Sequence, residues 1–438
     1  MDIIQGVVSD LGETAVILWG IFLHGGFVVF VIAAVIILYE LYLYEIQTQF
    51  VASQEWVFLN IISPKENLVS TLAVEQIYTQ LTAIFSGITF AQRYVEGVVQ
   101  LWYSFELVSM GGKISYILRV PKAFRDLVEA AFYAQYPNAE ISEVNDYLEN
   151  IDYNPETSDF DLWGTEVYLT DDQAFPLKTY RDFEHATAEE KIIDPLDGLL
   201  EGLGKMDPHE FYGIQMLLVP IADWDWKPEG EAKAKELLGE KPVKKLEAKD
   251  LILGPLDAFA EFSFKGLLGI GKKVGEEKKR EFQAFTDIEK ERVNLVQRKI
   301  SKPGYLTKIR HMYIAPKDNM TGRKKAITLG LGFIRSFNMG SGNKFRPHIE
   351  TNTKIDYRIS PSLEEPYINW QVNKRKVNLF KGFKNRSPGI GGPKFVLNVE
   401  ELATLYHLPL SVGSTVAPVE KTESKKSQPP INLPIGEM

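Results

Sequence analysis

The chain has 438 residues, enough for a membrane segment plus two or three domains of ordinary size, and 45% of them are apolar, enough for a packed core. It contains no cysteine, which excludes disulfide frameworks, thiolate nucleophiles and cysteine-ligated metals. The formal net charge of −9 conceals two opposed regions: residues 140–210 hold 20 acidic and 4 basic side chains (net −16), whereas residues 301–394 hold 19 basic and 5 acidic (net +14). A basic region of that size serves nucleic acid, anionic lipid or docking onto the chain's own acidic half.

The first predicted element is an anchor. Residues 15–39, 25 in all, contain no Asp, Glu, Lys or Arg. At about 1.5 Å per residue they reach roughly 38 Å, enough to cross a hydrocarbon core of about 30 Å. A secretory signal peptide needs a basic leader, but Asp2, Asp10 and Glu13 precede this run and no Lys or Arg does. The reading is a short tail over 1–14 and a retained transmembrane anchor over 15–44. Trp19, Tyr39, Tyr42 and Tyr44 suit the two membrane–water interfaces. The lone His24 within the span reads as bonding a neighbouring backbone group.

Two runs of elements follow. Residues 55–63 (EWVFLNIIS) read as a strand, and residues 71–85 place Ala73, Ile77, Leu81 and Ile84 at helical spacing. Residues 104–110 and 113–120 read as strands joined at Gly111-Gly112, a two-residue hairpin turn. Pro121 opens a helix carrying Phe124, Leu127, Val128, Ala131 and Phe132; Pro137 closes it, and residues 139–144 form a short strand. This β-α-β-β-α-β order is the ferredoxin-like split βαβ pattern. It returns as a strand over 165–170, a helix capped by Asp194 and running through Leu203, strands over 211–221 and 306–315, a helix over 322–337 and a closing strand over 345–351. The expected fold class is α+β: one N-terminal transmembrane helix, then two tandem ferredoxin-like units over 52–150 and 160–355. A long, largely helical insertion over 222–304 interrupts the second. A basic C-terminal extension over 356–414 and a flexible polar tail over 415–438 complete the chain.

Within the insertion, residues 227–249 are rich in Lys and Glu and read as solvated helix or disorder. Residues 251–270 are apolar but broken by Gly254-Pro255 and charged by Asp257, Glu261 and Lys265. They suit an interfacial or partner-binding helix, or one packed on the domain. Residues 276–299 are charged with helical spacing.

No complete catalytic constellation is visible. Residues 266–273 (GLLGIGKK) have the glycine and lysine spacing of a phosphate-binding loop, but Lys273 stands where the magnesium-binding Ser or Thr belongs. No strand precedes the run and no acidic Walker B strand follows it, so it reads as a Gly-rich bend. The six histidines have no ligand-type spacing. Neither a metal, a cofactor nor a small-molecule substrate is indicated, and no enzymatic activity is expected. The one candidate site is residues 373–386 (NKRKVNLFKGFKNR). There Lys374, Arg375, Lys376, Lys381, Lys384 and Arg386 interleave with Phe380 and Phe383. Such a segment can neutralise phosphates and stack on bases, enter a lipid interface, or be a basic loop docked on an acidic neighbour.

Four runs in order carry a resemblance. They are residues 104–144 (SFELVSMGGKISYILRVPKAFRDLVEAAFYAQYPNAEISEV), 194–220 (DPLDGLLEGLGKMDPHEFYGIQMLLVP), 300–305 (ISKPGY) and 395–407 (FVLNVEELATLYH). Together they resemble the region upstream of the motor in membrane-anchored type IV secretion or conjugative-transfer ATPases of bacteria. In that family a phrase like PPINLP at 429–434 introduces the nucleotide-binding domain, and the family's Walker A and Walker B residues have no matching positions in this sequence. The resemblance therefore implies a non-catalytic accessory half. It would be a single-pass protein of the inner (plasma) membrane with its body in the cytoplasm. It would form a homo-oligomer and position a separate ATPase motor chain, with DNA as a further partner. The alternative is a free-standing membrane-tethered nucleic-acid-binding module that uses the basic C-terminal half.

Overall fold

A computed structural model describes residue 20 and residues 27–64, 67, 69–183, 194–239, 286–318, 320–355, 361–409 and 421–422. The first long element is α1 (Phe27–Ser53). It is the one helix among the described residues long and apolar enough to cross a membrane, over Val31–Ser53. The predicted charge-free run begins earlier; apart from Gly20, residues 15–26 lie outside the described residues. A helix apolar on every side is either a buried core helix or a lipid-facing one. Here Val35 is 59% and Leu38 66% exposed, so the body does not cover it. The last turn is different: Val51 packs with Trp56, Trp102, Leu217 and Val219 and seats the helix on the body.

The body begins with β1 (Trp56–Pro64), α2 (Thr71–Leu81), the short α3 (Phe90–Tyr94), β2 (Tyr103–Met110), β3 (Lys113–Pro121), α4 (Arg125–Gln135) and β4 (Glu140–Val144). It continues with β5 (Phe160–Leu169), α5 (Tyr180–Phe183), α6 (Asp197–Leu203), β6 (Phe211–Pro220), α7 (Asp223–Leu237), α8 (Asp287–Ile300), β7 (Gly304–Pro316), α9 (Met320–Ser336) and β8 (Phe345–Pro347). It ends with α10 (Pro361–Lys384), β9 (Phe395–Asn398), α11 (Val399–Leu405) and β10 (Lys421–Thr422).

The strands form one mixed-layer α+β body around a single sheet of order β4-β1-β3-β2-β6-β7-β5-β8, antiparallel throughout. β9 adds to β7, and β10 lies parallel to β1. The two predicted runs of strands do not make separate sheets. β2 pairs with β6 over its whole length, from Tyr103 opposite Leu218 to Met110 opposite Phe211. The hairpin turn at Gly111-Gly112 is as expected, with positive φ at both residues (58° and 83°), which only glycine adopts freely.

Strand alternation gives the sheet two unlike faces. One is the main core, where Leu59, Phe105, Leu118, Tyr212, Ile309 and Tyr313 point at α2, α4, α6, α9 and α11. The other carries the seat of α1 at one end and α10 at the other, with charged residues between them.

Several local expectations change. Pro121 closes β3 rather than opening α4, which starts after a 3₁₀ turn at Lys122–Phe124. Asp194 does not cap α6; its carboxylate accepts from the Leu196 amide at 2.8 Å and pairs with His407 at 3.2 Å. The Lys/Glu-rich start of the insertion is helical: α7 packs on α8, with Gly230 against Ile300. Residues 240–285, including the apolar 251–270 run and the 266–273 bend, lie outside the described residues, as does most of the predicted tail. The segment read as a basic extension is largely the 24-residue helix α10. Its Ile368, Lys376, Leu379, Phe380 and Phe383 recur near the helical period and are buried.

Candidate functional site

The face beneath α10 is organised in rows, because residues two apart on a strand point the same way. One row is Gly213, Met312 and Gly164, directly opposed on β6, β7 and β5. The glycines make a trough: a Cβ on Gly213 would lie 2.7 Å from Phe383 Cζ, and one on Gly164 would meet both Leu379 and the His311 carbonyl. Leu379, Phe380 and Phe383 fill it with Leu148, Leu162 and Met312.

Two residues along each strand is a polar row: Glu106 (β2), Gln215 (β6), Arg310 (β7) and Glu166 (β5), in direct register. All four are buried. Gln215 donates to Glu106 and to the Phe383 carbonyl, both at 2.9 Å, and accepts from Arg310 at 3.1 Å. Arg310 also donates to Glu166 at 2.8 Å and to the carbonyls of Gly382, Ser387 and Ile390. Gly392 N–H closes the Glu166 end. At the other end Arg386 bonds Glu106 at 3.0 Å and Asp146 at 2.8 Å, and Tyr147 donates to Glu106 at 2.7 Å.

The row is thus a ladder that joins the two halves of the sheet to the segment 382–392. Burial alone would raise the Glu106 carboxyl, but the Arg386 guanidinium outweighs it and holds the group below the usual carboxylate range. Burial likewise works to lower Arg386, and the charge of Glu106 more than reverses that. Arg310 is lowered by its burial, against the pull of Glu166. Buried charges paired and bonded in this way specify one arrangement more than they add net stability.

The residues singled out from sequence divide sharply. Phe380 and Phe383 are core residues, and Arg386 is 1% exposed within the ladder. Lys376 pairs with Asp161, and Lys384 with Asp152 at 2.9 Å. Arg375 donates to the carbonyls of Ile349 and Asn352. Only Lys374 and Lys381 of the eight are exposed. Of the six basic residues, Lys376, Lys384 and Arg386 pair with carboxylates of the chain's own 146–161 stretch, Arg375 is held by backbone carbonyls, and Lys374 and Lys381 stay exposed.

A different surface emerges further up α10, beyond Asp161 and at the end of the strands remote from α1. Tyr367 and Trp370 are 60% and 58% exposed and stack at 6.1 Å, with Lys374 Nζ 5.3 Å from the Trp370 ring centroid. The only sequence signal for it was the i, i+3 spacing in YINW. The ladder had a better one at one position: Gln215 interrupts the otherwise apolar strand β6.

A second set of buried pairs fastens α11. Glu400 takes Thr179 at 2.7 Å and pairs with Lys302 and Arg298, while Lys299 meets Glu401 at 3.2 Å. No group of three or more His, Asp or Glu side chains placed to hold a metal occurs among the described residues. In comparisons with known proteins, no family model and no curated protein matches the chain.

Proposed function

We propose that this chain is a membrane-anchored accessory subunit of a type IV secretion- or conjugation-like translocation ATPase, holding a separate motor chain beside the inner (plasma) membrane. The observation that carries the proposal is the seating of α1. A helix with uncovered apolar flanks continues within three residues into β1, and its last turn packs into the sheet's own side chains. Anchor and body therefore move as one piece, which suits a positioning role. The charged clusters of the body support the same reading, since they bond the molecule to itself. The resemblance noted above falls on the frame of the fold: β2 to β4, α6 with β6, the start of β7, and β9 with α11.

On this proposal the body lies in the cytoplasm and the subunit forms a homo-oligomer. It has no catalytic step of its own. Its sheet would be two ferredoxin-like units joined edge to edge; the order 4-1-3-2 within each set of four strands supports this.

The test is to purify the full-length tagged chain from its own membranes in mild detergent. A P-loop ATPase chain recovered in fixed stoichiometry, identified by mass spectrometry, is the expected result. A homogeneous particle of this chain alone, with strong nucleic-acid affinity, would overturn it in favour of the second reading. That reading, a tethered nucleic-acid-binding module, is favoured by the exposed Tyr367–Trp370 stack beside Lys374, since aromatic faces and a cation suit unpaired bases.

A further inference from the structure

The body has a second apolar surface, at the anchor end. The segment between α2 and β2 folds back along α1. Gly97, at φ +71°, lies so close that a Cβ there would sit 2.4 Å from the Ile46 carbonyl oxygen. Seven residues earlier on α1, Tyr39 stacks on Tyr94 at 6.5 Å and 25°. The segment thus runs beside α1 for roughly 10 Å at about 1.5 Å per residue, toward the charge-free stretch that ends at Tyr39. At its tip Phe90 packs on Tyr94 at 4.5 Å and is itself 76% exposed; Val95 is 65% exposed.

Nothing among the described residues of the body covers Phe90 and Val95, and they lie where α1 passes from apolar to charged. The backbone around them is prepared for a poorly hydrated setting. Thr89 and Gln92 form a reciprocal capping box, and the amides of Arg93, Val95 and Val98 bond to carbonyls within the segment. Arg93 is exposed beside them and can reach a phosphate, as Lys and Arg do at membrane boundaries; Glu96 is exposed as well. Trp224, 73% exposed at the start of α7, meets Phe85 edge-on at 6.1 Å and extends the aromatic surface sideways. Aromatic residues gather at the level of lipid headgroups.

We infer that α3 and its flanks are a membrane-interface wedge: Phe90, Tyr94 and Val95 enter the boundary between headgroups and acyl chains of the bilayer that α1 crosses. The occupant is lipid, because the surface is continuous with the anchor's own lipid-facing side. The wedge gives the body a second point of contact, which fixes its tilt on the membrane. This inference rests on the reading of α1 as a membrane span.

The absence of cysteine makes the test clean. Single variants Val35→Cys, Phe90→Cys, Val95→Cys and Ile349→Cys of the full chain are spin-labelled and reconstituted into phosphatidylcholine–phosphatidylglycerol vesicles. The quantity read is the ratio of oxygen to nickel-chelate collision rates, which rises with depth. Position 349, 73% exposed and remote from α1, reports water. The ratio is expected to be highest at 35, intermediate at 90 and 95, and lowest at 349. A deep position 35 with 90 and 95 both equal to 349 would overturn the wedge and leave the anchor standing. Position 35 equal to 349 would overturn the anchor reading and the wedge with it.

Discussion

Arg386 is the one non-glycine among the described residues in the left-handed region, at φ 49°. That conformation costs on the order of 1 kcal/mol, and it turns the guanidinium into Glu106 and Asp146. Replacing Arg386 with Ala keeps the left-handed strain, which only glycine would relieve, and takes the cation away from two carboxylates. A loss of about 3–5 kcal/mol is expected, the usual cost of breaking a buried pair, measured by chemical denaturation of the full chain in detergent. Arg386→Lys should recover only part, since an ammonium cannot span both carboxylates as the fork does. A loss under about 1 kcal/mol for the Ala variant would mean that the ladder does not hold the fold. Two histidines predict opposite pH limbs. Burial pushes His311 down to about 3. Between pH 6.5 and 3 the unfolded chain then takes up a proton that the folded one refuses, so stability is intact above pH 6.5 and falls on acidification, by on the order of 4 kcal/mol at the acid end. His407 is different: burial works to lower it, but Asp194 prevails and raises it. Its contribution is full below pH 6.5 and is lost as pH rises through the raised value. Denaturation curves across pH should show His311→Gln flattening the acid limb and His407→Gln flattening the other.

The helix α10 shows what an element adds to its residues. It reaches the sheet because Gly213 and Gly164 leave room for Phe383 and Leu379. Gly213→Val should cost about 1–3 kcal/mol through overpacking, and Phe383→Ala about 3–5 kcal/mol through the cavity left behind; both are read from denaturation midpoints. The charges of the same helix should separate by partner. Lys374→Ala with Lys381→Ala should leave stability within about 0.5 kcal/mol, as exposed substitutions do, whereas Lys376→Ala removes the ammonium paired with the partly buried Asp161 and should lower it measurably. If the first pair proved as costly as the second, the division into free and docked cations would be wrong. In the sequence these lysines look alike, since all lie within one run of fourteen residues, 373–386. Which of them meets a carboxylate depends on β5 and the 146–152 stretch, more than 200 positions earlier.

At the scale of the whole molecule, the β2–β6 pairing and the ladder across it make one body of the two halves. Unfolding of the body should therefore be a single cooperative transition, with tryptophan fluorescence and far-ultraviolet circular dichroism changing together. Two separated transitions would show that the halves are independent. Deleting residues 1–44 should release the protein from carbonate-washed membranes. The interfacial segment alone buries too little to replace a spanning helix, so full retention of the truncated chain would contradict the single anchor.

The sequence by itself determined the local elements: the apolar α1 from an absence of charge, the hairpin at Gly111-Gly112, and the strand and helix order of both halves. These follow from periodicity and from side-chain chemistry within a few positions. Tertiary structure alone decided that the strands share one sheet, that the basic segment is a helix with one face buried, and that Glu106, Gln215, Arg310 and Glu166 stand in one row. The row depends on register between strands up to about 150 positions apart, and a shift of one residue would turn every such side chain to the opposite face. The net charge of +14 over residues 301–394 was a correct observation about composition. Its partner was decided by which acidic stretch the fold brought underneath.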